Sequence, residues 1–188
     1  PTHEPIEQLI GLRSIPELNV IRPADGTESI AALEIALASK DQATTIITSR
    51  QNVVNLATSS KDGVKKGAYI IDKESNKLDG ILLAAGSEVG LAIETKKLLK
   101  EKGLDIRVVS MPSHDAFLKQ DAEYQKMILP KGVKTLAVEM GSSYSWYRFT
   151  SNVYGIDQYG ISASLNKVLN HFEFTPEKVA EKFLAITE

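Results

Sequence analysis

The sequence predicts an α/β protein: an incomplete βα layer followed by a three-layer α/β/α domain with a mostly parallel, mixed sheet. Three features predict it. Short β-branched or aliphatic runs alternate with segments whose apolar residues recur every three to four positions. The run Gly80-Ile81-Leu82-Leu83-Ala84-Ala85 is almost unbroken in its apolarity, as in a strand covered on both faces. Residues that start and stop helices stand at the joints, among them Asp25, Ser87, Gly103 and Thr175-Pro176.

Residues 6–15 carry Ile6, Leu9, Ile10 and Leu12 at helical spacing, and Pro16 stops that helix. Asn19-Val20-Ile21-Arg22 reads as a short strand. Asp25 then serves as N-cap, with Glu28 completing a capping-box pattern, for a helix with Ile30, Leu33 and Leu37 on one face. Thr44-Thr45-Ile46-Ile47-Thr48 is β-branched and short, as a buried strand should be. Helix, strand, helix, strand is the closing half of a βα layer, too small to own a complete core. Residues 51–66, without a period and with the polar run Thr58-Ser59-Ser60-Lys61-Asp62-Gly63, read as a linker.

The second part begins near Gly67. Ala68–Ile71 is a strand, residues 72–79 a charged turn, and 80–85 a strand covered on both faces. Ser87 is the expected cap of a helix reaching about Lys102, with Val89, Ala92, Ile93 and Leu99 inward, lysines crowding its last turns and Gly103 ending it. Asp105–Val109 closes a right-handed βαβ unit. A helix over 121–129, a strand over 135–139, an aromatic stretch over 144–149, an edge strand at 153–156, a short helix over 164–170 and a last helix from Thr175-Pro176 complete the chain.

Composition excludes several functions. The chain has 188 residues, 43% hydrophobic and 24% charged, enough for a sizeable core. Twenty-two basic against twenty-four acidic residues give a formal charge of -2, which argues against a nucleic-acid binder held by a general basic field. Zero cysteines remove a disulfide scaffold, a thiolate metal site and a cysteine nucleophile, and fit a cytoplasmic setting. No apolar run approaches the roughly 18 residues of a membrane helix, and no signal peptide is visible. Pro1 in place of an initiator Met predicts a piece cut or processed from a longer protein.

Few side chains invite chemistry. His3, His114 and His171 lack any metal-ligand spacing. His114 reads as decoration of a helix start and His171 as a helix-end cation. Gly86-Ser87-Glu88 sits where a strand-to-helix turn can bind an anion, but without a full phosphate-loop pattern a plain turn is favoured. The aromatic stretch 144–149 lacks basic neighbours and reads as a core edge or a subunit interface rather than a base-stacking platform. Two positions stand out. His3 lies between prolines, so its imidazole is aimed rather than mobile. Arg50 follows a strand at a carboxyl end of a sheet, where ligands of open α/β sheets collect, and a guanidinium there suits phosphate or carboxylate.

Several motifs resemble the transketolase family. Pro1-Thr2-His3-Glu4-Pro5-Ile6-Glu7-Gln8-Leu9, Val20-Ile21-Arg22-Pro23-Ala24-Asp25-Gly26-Thr27-Glu28 and Thr48-Ser49-Arg50-Gln51 are similar to its pyrimidine-binding domain. Leu82–Val89, Val108–Ser113 and Gly155-Ile156-Asp157 are similar, in order, to its C-terminal domain. The resemblance implies that residues 1–50 end the thiamine-diphosphate pyrimidine-binding domain, 51–66 link, and 67–188 form the C-terminal domain. It implies transfer of a two-carbon ketol unit from a ketose phosphate to an aldose phosphate in the pentose phosphate pathway. Thiamine diphosphate and Mg²⁺ (or Ca²⁺) would serve the full-length homodimer, with none bound to this portion, which alone would be inactive. It assigns His3 to catalysis and to substrate binding, polarising the sugar oxygens, and Arg50 to the substrate phosphate; no residue is assigned to the cofactor. Dihydroxyacetone synthase, deoxyxylulose-phosphate synthase and a dehydrogenase E1 β subunit are rivals within the cofactor class. A non-catalytic assembly module is the rival outside it.

Overall fold

A computed structural model describes residues 4–186. An N-terminal layer is built from α1 (Gln8–Arg13), β1 (Asn19–Ile21), α2 (Gly26–Ala38) and β2 (Thr44–Ile46), with β1 and β2 paired in parallel. A short helix, α3 (Lys61–Lys65), leads to a five-stranded sheet. Its strands are β3 (Tyr69–Asp72), β4 (Gly80–Ala84), β5 (Ile106–Ser110), β6 (Thr135–Val138) and β7 (Val153–Tyr154). They lie in the order β3-β5-β4-β6-β7, all parallel except β3, which runs antiparallel to β5 at the edge. The expected mixed, mostly parallel sheet is therefore present.

The central strand shows why its sequence is nearly all apolar. Leu82 and Ala84 point into one core with Val89, Ala92 and Leu99 of α4 (Glu88–Glu101) and Val179 and Phe183 of α8 (Pro176–Ala185). Ile81 and Leu83 point into the other, with Phe117 of α5 (His114–Leu118) and Ile128 of α6 (Ala122–Ile128). Alternate residues of one strand thus serve two helical layers. The cap at Thr175 forms as expected, its side chain accepting from the backbone N–H three residues on, and Asp121 caps α6 in the same way.

Three local expectations are corrected, and the exposed side of one helix is identified. Ser87 does not cap α4: its Oγ donates to Glu88 Oε1 at 2.7 Å, because its own backbone is already helical. The capping box at Asp25 is half formed. Asp25 Oδ1 accepts from Glu28 N at 2.9 Å, but the Glu28 carboxylate accepts from Ala24 N instead of reaching Asp25 N. The segment 51–66 contains α3, which Ser60 caps and which buries Val64; five residues are too few to show a period. It is also strapped to the start of α2, with Leu56 N and Ser59 Oγ donating to Asp25 Oδ2 at 2.9 and 2.5 Å. Finally, the stripe Ile30, Leu33 and Leu37 on α2 faces solvent, with Leu37 78% exposed, while Ala31, Ala32 and Glu28 face inward.

Candidate functional site

Beyond the carboxyl end of β2 the chain runs through Ser49 to Arg50, whose side chain is exposed and lines a cleft of about 680 Å³. Glu4, Pro5 and Ile6 line the same cleft. His3 itself lies outside the described residues. Opposite walls come from the five-stranded unit, through Met140, Ile156 and the segment around Gly160. The cleft thus opens where the N-terminal layer meets the C-terminal unit, and among the described residues its lining is mostly apolar, with Arg50 and Glu4 as its charged residues.

Beside this cleft lies a buried charge cluster that sequence reasoning missed. In the strand order, β5 and β6 lie on opposite sides of β4, so the topological switch falls between the carboxyl ends of β4 and β6. A ligand of an open α/β sheet would settle there, but an arginine from the N-terminal layer fills the place. Arg22, just past β1, donates to the Ala85 carbonyl at 2.9 Å, to Glu139 Oε1 at 3.2 Å and to Glu88. Arg13, at the end of α1, grips Glu139 with both terminal nitrogens, at 2.6 and 3.0 Å, and donates to Ser145 Oγ. Trp146 Nε1 adds a third donor to Glu139 at 2.6 Å, and Met140 N donates to Glu88. Two guanidiniums and two carboxylates balance. Burial pushes the Glu139 carboxyl up, but Arg13 and Arg22 outweigh it and leave the group below its ordinary value. Burial likewise opposes charge on Arg22, and Glu88 and Glu139 reverse that, holding it more firmly protonated.

A second contact of the same kind lies along β3 and β5. The Glu28 carboxylate, wholly buried, accepts from Tyr69 OH at 2.8 Å and Ser110 Oγ at 2.6 Å. Burial raises its pKa despite these donors. Glu28, Arg22 and Arg13 together lay the N-terminal layer across the carboxyl edge of the sheet. The Gly86-Ser87-Glu88 turn is consequently no anion cradle: a Cβ on Gly86 would come within 2.9 Å of the Arg22 guanidinium. Among the described residues no group of three or more His, Asp or Glu side chains is placed to hold a metal ion.

The other candidates resolve into structure. His171 ends α7 (Leu165–His171), its ring edge against Phe172. The aromatic stretch winds into a 3-10 turn over Ser143–Arg148 that buries Trp146 and leaves Tyr144 and Tyr147 exposed. His114 is buried edge-on against Trp146 and Phe149, at 4.5 and 4.9 Å between centroids, and its Nε2 has no hydrogen-bond partner. Burial first, then Arg13 and Arg148, hold its pKa well below the usual value. The folded protein therefore keeps His114 neutral while the unfolded chain protonates it near pH 6.5. Stability is full above that pH and falls beneath it, by up to about 1.4 kcal/mol per pH unit until the folded value is reached. Urea midpoints from pH 8 to 5 should show this slope, and His114→Phe should flatten it; an unchanged slope in that variant would refute the assignment.

The comparisons with known proteins agree along the whole chain. The family model described as "Transketolase-like TK C-terminal domain" matches residues 67–175, and that of the "Transketolase, pyrimidine binding domain" matches residues 1–55. A transketolase of Halalkalibacterium halodurans is 47% identical over all of this chain and 29% of its own length. One of Bacillus subtilis is 45% identical over 99% of this chain and 29% of its own. The chain thus spans under a third of the curated relatives it matches. A Pichia stipitis transketolase, solved in complex with sedoheptulose 7-phosphate, superposes with a TM-score of 0.94 at 39% identity, over 98% of this chain and 27% of that one. With a family model covering more than half of it and the same fold throughout, the chain belongs to the transketolase family.

Proposed function

We propose that this chain is the C-terminal portion of a transketolase, which moves a two-carbon ketol unit from a ketose phosphate to an aldose phosphate. In this reading residues 1–50 end the pyrimidine-binding domain, 51–66 link, and 67–188 are the C-terminal domain. The working enzyme is a cytoplasmic homodimer. The observation that carries the reading is the cleft in which Arg50 faces the Glu4–Ile6 segment, directly after His3. An exposed guanidinium in a largely apolar cleft suits the phosphate end of a sugar, and that grip fixes where the other end lies. His3 then meets the sugar oxygens, donating to the oxygen on which charge develops.

Thiamine diphosphate supplies the carbanion chemistry in this family. The described residues do not fit its diphosphate and metal: they hold no cluster of three potential ligands, and Arg22 occupies the turn a phosphate would need. Their part is with the sugar. The exposed apolar stripe of α2 supports the same division, since such a stripe is normally covered by further protein.

Ketol transfer from xylulose 5-phosphate to ribose 5-phosphate, with thiamine diphosphate and Mg²⁺ present, tests the proposal. The chain alone is expected to be silent. Combined with a diphosphate-binding portion, in one polypeptide or two, it is expected to turn over. There, Arg50→Ala should raise KM for phosphorylated sugars about 10- to 100-fold, the loss of one or two charge-assisted hydrogen bonds, and leave unphosphorylated substrates alone. His3→Ala should lower kcat about 100-fold. Equal losses on both substrate classes would overturn the role of Arg50, and turnover by the isolated chain would overturn the division of labour.

A further inference from the structure

We propose that the cavity between the 51–56 segment, α4 and α7 is a binding site for a compact aromatic amine. Its volume is about 390 Å³, within the range of small-molecule sites. Its walls are mainly apolar, with Leu56, Leu91, Leu169 and Phe174 among them. Its charged lining has one sign: Glu88 and Glu94 border it, and among the described residues no lysine, arginine or histidine does. Arg22 already neutralises Glu88, which leaves Glu94 as the carboxylate a ligand would meet. Lys97 pairs with Glu94 at 2.7 Å, but both side chains are more than half exposed, and pairs of that kind are held weakly. The Arg50 cleft next to this cavity has the opposite chemistry. Gln51, Met140 and Leu165 line both spaces and divide them, so neighbouring sites sort ligands by charge, anions toward Arg50 and cations toward Glu94.

Two further features point to an occupant. Gly90, in the first turn of α4, borders this cavity and also a groove of about 440 Å³ that continues between α7 and the start of α8. A Cβ on Gly90 would meet nothing within 4 Å, and its backbone is not left-handed. Neither packing nor conformation therefore calls for glycine, and a glycine within a helix is unfavourable relative to alanine. Its absent side chain leaves the two spaces joined. The other feature is α7. None of its seven residues is buried, although Leu165 and Leu169 border the cavity. A helix this short depends on packing for its stability. A ring seated against Leu165 and Leu169 supplies packing that the chain alone does not.

Titrating the chain at pH 7 with tryptamine, indole and indole-3-acetate tests this, because the three share a ring and differ in charge. Binding is followed by amide chemical shifts. Tryptamine is expected to bind saturably, with a dissociation constant of about 1 mM or tighter. It should shift amides in the first turns of α4 and in α7, and at ten times that concentration slow amide exchange in α7 up to about tenfold. Indole should bind about two- to fivefold more weakly, the effect of one exposed carboxylate, and indole-3-acetate more weakly still. Glu94→Gln should erase the advantage of tryptamine over indole and leave indole unchanged. Gly90→Leu, which puts a side chain into the space, should abolish saturable binding of tryptamine while keeping or raising the urea midpoint. No saturation by tryptamine up to about 10 mM would overturn the site. So would shifts confined to other parts of the chain, α7 shifts that survive Gly90→Leu, or indole-3-acetate binding as tightly as tryptamine. Should Gly90→Leu not fold, Glu94→Gln decides: an advantage of tryptamine that persists in that variant overturns the proposal, and its loss supports it.

Discussion

Glu139→Ala is expected to cost about 3–5 kcal/mol of folding stability, the range seen when one partner of a buried ion pair is removed. Glu139 is fully buried, and Arg13, Arg22 and Trp146 all donate to it. Its loss leaves one positive charge in excess inside the protein, together with an indole N–H without an acceptor. The same principle gives a sharper comparison. Pairing Glu139→Leu with Arg13→Met removes one charge of each sign and leaves Arg22 with Glu88. That double variant should be more stable than Glu139→Ala, although it removes more hydrogen bonds. Urea unfolding followed by the fluorescence of Trp146, the chain's one tryptophan, measures both. A Glu139→Ala loss under about 1 kcal/mol, or a double variant less stable than the single, would show that the cluster does not hold the two layers together.

Glu139 also contributes a dependence on acid. Its carboxyl is held below the ordinary value, so its stabilisation is present above the unfolded pKa and is lost as pH falls through the folded one. This loss sets in about two pH units below the onset of the His114 loss, since an unfolded glutamate titrates about two units lower than an unfolded histidine.

What was legible in the sequence follows physical range. The strands at 80–84, 106–110 and 135–138 announce themselves because the layers packed on both faces of the sheet bury every residue, and α8 announces its start by Thr175-Pro176. These are local signals. The place of Arg50, in a cleft beyond the end of β2, was legible for the same reason, as a cation just beyond a short β-branched run. The charge cluster was not, because Arg22 is 66 residues from Glu88 and 117 from Glu139, and single charges in a sequence read as solvated. One signal was available: both Arg22 and Glu139 stand directly after apolar strand residues, where a charge has little access to water. The α2 stripe was read correctly as a face but said nothing of what lies opposite. The cavity beside Gly90 gave no signal at all, since it is a property of packing between segments far apart in the chain.

Gly67→Ala is expected to be the other strongly destabilising single substitution, at about 2–5 kcal/mol, and a second glycine separates its two causes. Gly67 and Gly103 share a left-handed backbone, each with φ of 82°. Holding an alanine in that conformation costs roughly 1–2 kcal/mol. At Gly103 a Cβ would meet nothing within 4 Å, so Gly103→Ala should show that cost alone. At Gly67 the Cβ would lie 2.2 Å from Phe117 N and 2.5 Å from the Ser113 carbonyl, both backbone atoms that no rotamer change can move. Relief requires shifting the start of α5, which the Gly67 carbonyl itself anchors by accepting from Ser113 N at 3.0 Å. Overpacking of that kind adds about 1–3 kcal/mol. The difference between the two variants in urea unfolding therefore measures the steric part. Equal losses would mean that α5 yields freely, and the tight joint between α3, β3 and α5 would then be no constraint on how the N-terminal layer meets the sheet.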